Sequence, residues 1–214
     1  MVGVFIFFMK NIYPNRQTIR LPYYDYSQPG WYFVTICVAD RELFFGTIQN
    51  NQMFLSSLGK QIENFWLTIP QHFSGVFLDA YVIMPNHLHG IIVISSEEGE
   101  ILPIQEIKTL FIQRTLPAIQ AIRTLSTVQG VGTLHCNVPT TMSEISPKRG
   151  SLSVIIRSFK SICTKHIKKT FPKISFGWQA RFYEHIIRDE MDLERIRNYI
   201  QNNVSNWSLD QFHS

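Results

Sequence analysis

Residues 80–94 read AYVIMPNHLHGIIVI, and this stretch decides the expected fold. Apolar and β-branched residues lie on both sides of Pro85-Asn86, a dipeptide that favours a tight turn. The pattern predicts a hairpin of two strands over 76–84 and 87–94. Because side chains alternate along a strand, His87 and His89 should point to one face of the sheet.

Upstream of this hairpin, the sequence predicts a strand pair and a helix. The run WYFVTICV at 31–38 and the run at 43–48 are separated by the turn-like Ala-Asp-Arg-Glu, which predicts a further hairpin. Residues 53–69 place apolar side chains three and four positions apart and are followed by Pro70. This spacing predicts an amphipathic helix that ends at the proline.

Downstream, residues 96–150 contain several prolines and show no sustained period, which is typical of an insertion. Order returns at Leu152 with a helical stripe of apolar side chains and a basic outer face. A strand-like stretch at 178–187 and a helix from about 189 to 203 follow. The order ββαββ, insertion, αβα predicts an α+β fold, with helices packed on a mostly antiparallel sheet.

The whole chain has the size and composition of one folded domain. It has 214 residues, of which 45% are apolar, and its net charge of +4 permits an anionic partner without requiring one. The three cysteines lie far apart and form neither a metal pair nor a disulfide framework, so a reducing cytoplasm is the expected location. The apolar run at 2–9 is too short to span a membrane, and a true start at Met9 would explain it.

Two pairs of residues are candidates for a site, and each has a structural alternative. His87 and His89 are spaced to hold one metal ion, or are simply hydrogen-bonded histidines at the start of a strand. Tyr199 and Asn203 are four apart and share a helix face. They would place a phenol beside an amide oxygen, or else be a core tyrosine and a helix cap.

Four segments together resemble the REP-associated tyrosine transposases, a branch of the single-tyrosine HUH transposases. These segments are AYVIMPNHLHGIIVI (80–94), SFKS (158–161), WQARFYEHIIRD (178–189) and RIRNYIQNN (195–203). The resemblance covers roughly residues 21–95 and 151–207. It implies a ferredoxin-like HUH fold in one domain at 21–207, with an insertion at about 96–150. Residues 1–20 and 208–214 would be tails, and the host would be prokaryotic.

The resemblance also implies a chemistry. His87 and His89 would hold a divalent metal, Mg²⁺ or Mn²⁺, with Asn203 as the third ligand, and Tyr199 would be the nucleophile. The activity would be cleavage and rejoining of single-stranded DNA through a 5′-phosphotyrosine, at element ends that contain hairpins. Tyr183 is the rival nucleophile, but it lies in a strand-like segment without an amide partner at helical spacing and is interpreted as packing.

The expected partner is single-stranded DNA with a REP-like hairpin, bound by a monomer or a homodimer away from any membrane. The basic face of the helix at 152–169 would contact phosphates, and the signature at 178–189 would orient the strand. The candidate DNA-binding residues are Arg16, Arg20, Arg157, Lys160, Lys165, Lys168, Trp178, Arg181, His185 and Arg188. For the helix the alternative is a solvated face, and for Trp178 it is core packing.

The chain departs from the family pattern in two places. The segment at 96–150 is longer than the turn expected there, and Val204 stands where a proline often follows the asparagine. Two other function classes therefore stay open. One is a relative that binds structured single-stranded DNA without cutting it, and the other is a metal-binding protein whose histidines hold structural Zn²⁺.

Overall fold

A four-stranded antiparallel sheet lies at the centre of the computed structural model, which describes residues 24–96, 101, 104, 148–210 and 212. Arg16, Arg20 and most of the predicted insertion lie outside the described residues. The strands are β1 (Gly30–Cys37), β2 (Gly46–Gln49), β3 (Gln52–Leu55), β4 (Val76–Ile83), β5 (His87–Ile94) and β6 (Tyr183–Ile187). The α-helices are α1 (Ser57–Leu67), α2 (Ile69–His72), α3 (Leu152–Thr170) and α4 (Glu190–Asn202).

The strand order in this sheet is β4-β5-β1-β6. The succession β1, α1, β4, β5, α3, β6 is that of a ferredoxin-like fold, with the small β2–β3 sheet inserted and α4 added at the end. The predicted α+β class with a mostly antiparallel sheet is therefore confirmed. None of the helices in the described residues is long and apolar enough to cross a membrane.

Helices cover both faces of the sheet. On the first face, α1 and α3 share a core in which the rings of Trp66 and Phe159 lie 5.6 Å apart. Gly90 of β5 admits the Trp66 ring, because a Cβ at this position would overlap it. On the second face, apolar residues of α4 such as Ile196 pack with Phe33 of β1. Strand alternation places His87 and His89 on this second face.

The predicted pairing of 43–48 with 31–38 is wrong. Strand β2 pairs with β3 instead, and Asn50 and Asn51 between them have φ of 50° and 58°. A two-residue turn with left-handed backbone matches the twist of a hairpin, and asparagine tolerates that conformation. The tight turn therefore joins β2 to the residues that follow it.

The same hairpin shortens the predicted helix at its start. Residues 52–55 are extended, so α1 begins at Ser57, and the Ser56 hydroxyl caps it by accepting a 3.0 Å hydrogen bond from the Gly59 N–H. The strand predicted at 178–187 is also shorter. Only Tyr183–Ile187 pairs continuously with β1, while Trp178 forms an isolated bridge with Val38.

Candidate metal and tyrosine site

The two histidines of β5 face each other at the buried end of the strand. Their Nε2 atoms are 2.9 Å apart, and the residues are 0% and 1% exposed. Burial lowers the pKa of His89 to about 3 and holds that of His87 well below its usual range. Both imidazoles are therefore neutral at physiological pH, which is the form that binds metal.

Asn86 fixes the tautomer of His87. The Asn86 Nδ2 group donates to the carbonyl oxygens of Arg41 at 3.2 Å and Phe212 at 2.8 Å, so its Oδ1 atom must be an acceptor. That oxygen lies 2.8 Å from Nδ1 of His87, which therefore carries the proton. The lone pair of His87 Nε2 then points into the site.

Thr35 occupies the equivalent place behind His89. The Thr35 hydroxyl lies 2.8 Å from His89 Nδ1, because Thr35 and His89 are directly paired in the β1–β5 ladder. A hydroxyl both donates and accepts, so it stabilises either tautomer. When His89 binds a cation through Nε2, Nδ1 donates to the Thr35 oxygen.

Helix α4 brings Tyr199 to this pair. Its hydroxyl lies 3.2 Å from His89 Nε2, and its ring stands edge-on to Phe33 with the ring centroids 6.1 Å apart. Burial and the nearby charge of Asp210 raise the pKa of Tyr199, while a hydrogen bond from the Asn203 side chain lowers it. Tyr183 lies on the same face of the sheet, where it packs edge-on against Phe33 at 6.2 Å.

Asn203 is the residue that caps the end of α4, and it is 3% exposed. Among the described residues its Oδ1 atom is buried without a hydrogen-bond partner. A buried carbonyl oxygen without a donor is costly, and a cation would compensate it. The orphaned oxygen fits a metal-ligating role.

The chemistry of these groups matches a divalent cation. Two imidazole nitrogens each about 2.1 Å from one ion, at a right angle, would be about 3.0 Å apart. The 2.9 Å between the Nε2 atoms agrees with that geometry. His87, His89 and Asp210 form a group whose ligand atoms all lie within 4.8 Å of one another. These side chains could therefore hold a metal ion.

Sequence reasoning missed the contribution of the C-terminal segment, defined here as residues 207–210 and 212. Its side chains lie over His87, with the Phe212 ring centroid 4.6 Å and the Trp207 ring centroid 6.0 Å from the imidazole. The Asp210 carboxylate is 3.8 Å from His87 Nε2. All of the segment except Trp207 falls in the predicted tail at 208–214, and no periodicity in it signals this packing.

Two polar contacts hold α4 on the sheet of its own chain, an Arg197–Asp79 ion pair and a His185–Asp192 contact. Arg197 donates to both carboxylate oxygens of Asp79 on β4, at 2.8 and 3.2 Å. His185 of β6 lies 2.6 Å from the Asp192 carboxylate, which also binds Arg195. Tyr199 is therefore placed in cis. His185, which is predicted to contact DNA, lies against α4 in this structure, and its side chain is 9% exposed.

Asp192 should stabilise the protein in a pH-dependent way. Burial alone would raise its pKa, but the hydrogen bonds and charges of His185 and Arg195 lower it overall. A lowered folded-state pKa contributes stability that is present above the unfolded value and lost as pH falls through the folded value. We expect Asp192→Asn to lower the unfolding free energy by about 1–2 kcal/mol at neutral pH.

Urea denaturation measures this effect, with Glu190→Gln, an exposed carboxylate in the same helical turn, as the control. The difference between Asp192→Asn and wild type should shrink as pH falls below the ordinary aspartate range, towards the point where the wild-type carboxyl becomes protonated. A difference in unfolding free energy that stays constant from neutral pH to this point would show that the Asp192 carboxylate does not anchor α4.

The predicted phosphate-binding residues of α3 lie in the other layer of the molecule. Arg157, Lys165 and Lys168 are exposed on α3, whose buried side packs on the first face of the sheet. The histidines and Tyr199 lie on the second face. The structure therefore does not bring these cations next to the site, and a nucleic acid touching both would have to pass around the sheet.

The remaining predicted DNA-binding residues lie on α3 and on either side of β6. Lys160 donates to the carbonyls of Gln179 and Arg181, and burial lowers its pKa to about 8. Trp178 packs among Phe45, Phe159 and Phe176 and donates to the Lys160 carbonyl. Arg181 is exposed and Arg188 is half-buried. Lys160 and Trp178 thus have clear structural roles.

Comparisons with known proteins agree with the architecture. No family model matches the sequence. An uncharacterised protein of Haemophilus influenzae is 36% identical over 203 residues, covering 93% of each chain. A solved structure of a REP-associated tyrosine transposase bound to a REP hairpin superimposes with a TM-score of 0.51, at 14% identity. That match covers 92% of this chain and 77% of the other.

The fold and the His-x-His group thus define the class of this protein. The chain has the fold of a REP-associated tyrosine transposase. Its HUH-like His-x-His metal group lies on β5, the second strand of the central hairpin. The chain belongs to the same family as the Haemophilus influenzae protein. The resemblance found in the sequence is confirmed at the level of the fold.

Proposed function

We propose that the protein is a metal-dependent single-stranded DNA endonuclease and strand transferase, with Tyr199 as the nucleophile. The observation that carries the proposal is the position of the Tyr199 hydroxyl, 3.2 Å from His89 Nε2. A partly buried tyrosine whose oxygen lies beside the neutral imidazole of His89 is placed for attack on a phosphate held at the same point. The solved neighbour, which was determined with a REP hairpin, supports this class of substrate.

The proposed ligands are His87, His89 and Asn203, and the metal is Mg²⁺ or Mn²⁺. Two nitrogens and an amide oxygen leave coordination positions for phosphate oxygens. When bound, the ion supplies Lewis-acid polarisation of the scissile phosphate and a positive charge near the phenol. Mn²⁺ accepts nitrogen ligands more readily than Mg²⁺ does and should bind more tightly.

The covalent step exchanges one phosphate ester for another. Tyr199 loses its phenolic proton to water, and its oxygen forms a bond to phosphorus while the bond to the 3′ oxygen of the DNA breaks. The departing oxygen takes a proton from water and becomes a 3′-hydroxyl. In the reverse direction a free 3′-hydroxyl attacks the 5′-phosphotyrosine and releases the phenol, so strand joining needs no ATP.

The residues around Tyr199 keep its oxygen in place for this attack. Phe33 packs against the ring, and the Asp79–Arg197 ion pair fixes the helical turn that carries it. The Asn203 side chain donates a hydrogen bond to the phenol oxygen, which favours the phenolate. A cation beside His89 would favour it further, because the phenol is otherwise held in its neutral form by burial.

The test is incubation with labelled single-stranded DNA from the flanks of its own gene, with Mn²⁺ or with EDTA, followed by denaturing electrophoresis. We expect a slowly migrating protein–DNA adduct with Mn²⁺ and none with EDTA. Metal-independent binding of hairpins without any adduct would contradict cleavage and support the non-cutting relative. Tight Zn²⁺ binding with no DNA binding would support a structural metal site instead.

We also propose that Arg157, Lys165 and Lys168 bind phosphates of the hairpin through charge alone. Each phosphate contact releases about one counterion, so a double Lys165→Gln, Lys168→Gln variant should reduce the slope of log affinity against log salt by about 2. Lys60→Gln, which removes an exposed lysine from α1, is the control. Fluorescence anisotropy at several salt concentrations measures the slope, and an unchanged slope would mean that this helix face is merely solvated.

A further inference from the structure

The C-terminal segment presents a carboxylate to the two histidines. Asp210 follows a short 3-10 helix, Trp207–Leu209, and its N–H donates to the Trp207 carbonyl at 3.0 Å. The Asp210 side chain is only 5% exposed. Its Oδ1 atom accepts a 2.7 Å hydrogen bond from the Phe212 N–H, while its Oδ2 atom lies 3.8 Å from His87 Nε2.

This position is built by several independent contacts. The Phe212 carbonyl accepts from Asn86 Nδ2 at 2.8 Å, and that same amide sets the tautomer of His87. The Trp207 and Phe212 rings both pack against the His87 imidazole. The segment is therefore docked on the metal-ligating histidine itself, and Asp210 is the side chain that it directs towards the pair of Nε2 atoms.

The spacing of these side chains fits a single bound cation. Two atoms bound to one ion at about 2.1 Å lie at most about 4.2 Å apart. The separations from His87 Nε2 to His89 Nε2 and to Asp210 Oδ2, 2.9 and 3.8 Å, fall within that limit, and all three ligand atoms lie within 4.8 Å of one another. Carboxylate oxygen is also a ligand that both Mg²⁺ and Mn²⁺ prefer.

We propose that Asp210 is a further ligand of the metal held by His87, His89 and Asn203, supplied by the C-terminal segment. The inference rests on the proposed metal site and deepens it. The metal then has one anionic ligand besides its neutral ones, which raises its affinity in the absence of DNA. Two positions of an octahedral ion remain for phosphate oxygens or water.

The test titrates the full chain with Mn²⁺ without DNA and follows the free ion by electron paramagnetic resonance. We expect Asp210→Asn to weaken Mn²⁺ binding about tenfold or more. Glu194→Gln, which neutralises an exposed carboxylate on α4, should leave the affinity unchanged. Replacing Mn²⁺ with Co²⁺ tests whether Asp210 is a ligand or only a nearby charge, because loss of a bound oxygen changes the visible absorption spectrum of the ion.

Three results would overturn the proposal: equal Mn²⁺ affinity in wild type and Asp210→Asn, weaker binding with an unchanged Co²⁺ spectrum, or failure of the wild type to bind Mn²⁺ without DNA. Circular dichroism of each variant confirms that the fold is retained. The outcome is separable from the proposed function. If an adduct forms and Asp210→Asn binds metal normally, the proposed nuclease activity stands and the Asp210 ligand is excluded. If metal binding depends on Asp210 but no adduct forms, the Asp210 ligand stands and the nuclease activity is excluded.

Discussion

Tyr199→Phe should abolish the covalent protein–DNA adduct, lowering its rate of formation by at least about a thousandfold. The substitution removes one oxygen, while the ring keeps its contacts with Phe33 and His89. Phenylalanine cannot form a phosphate ester, so binding should persist without chemistry. Single-turnover assays on denaturing gels, with anisotropy for binding, measure the two effects separately.

Tyr183→Phe is the matched control for this result. Tyr183 lies on the same face of the sheet and also packs against Phe33, so the two variants remove the same atom from neighbouring positions. We expect Tyr183→Phe to retain adduct formation within a few-fold of the wild type. Loss of the adduct in Tyr183→Phe alone would exchange the roles of the two tyrosines.

The second large effect concerns the histidine pair. We expect His87→Gln and His89→Gln each to weaken Mn²⁺ binding by at least about a hundredfold and to remove Mn²⁺-dependent cleavage, because each takes away a direct nitrogen ligand. Glutamine keeps polar atoms in a buried place, which limits the cost to the fold. Calorimetric titration with Mn²⁺ reports the affinity without reference to activity.

The control for the histidine variants is His72→Ala, which removes an exposed imidazole from α2. It should bind Mn²⁺ as the wild type does. If both buried variants retained wild-type Mn²⁺ affinity, the pair would be a hydrogen-bonded histidine contact and not a metal site. Thermal unfolding of each variant checks that the substitution has not unfolded the protein.

The core of the site could be predicted because it depends on local periodicity. Alternation along β5 is sufficient to place His87 and His89 on one face, and helical spacing is sufficient to align Tyr199 with Asn203. The structure brings these two pairs together, with the Tyr199 hydroxyl 3.2 Å from His89 Nε2. Only the family resemblance predicts that these two pairs lie together, because spacing in the sequence does not relate a strand to a distant helix.

The parts that could not be predicted depend on tertiary packing. Nothing in the residues around Asp210 signals that the segment folds back over β5, because its contacts are with a strand more than a hundred residues earlier. The face of the sheet on which α3 packs could not be predicted either. The basic face of α3 is evident in the sequence, but only the sheet topology shows that it lies opposite Tyr199.

Local signals also competed with one another. The Asn50-Asn51 pair is a hairpin signal, but the longer apolar run at 53–69 favours a helix over residues that form β3. His185 belonged to a recognisable signature, but its place in the sequence did not reveal the Asp192 carboxylate beside it. Such a contact between a strand and a helix is decided by tertiary packing.

The most direct test of the central claim is to locate the covalent bond by mass spectrometry of the trapped adduct after digestion with nuclease and trypsin. Cleavage after Arg197 gives a peptide, 198–214, whose one tyrosine is Tyr199, whereas Tyr183 falls in the separate peptide 182–188. We expect a nucleotide phosphate on Tyr199 in peptide 198–214. A nucleotide on peptide 182–188, or on any other residue, would contradict it.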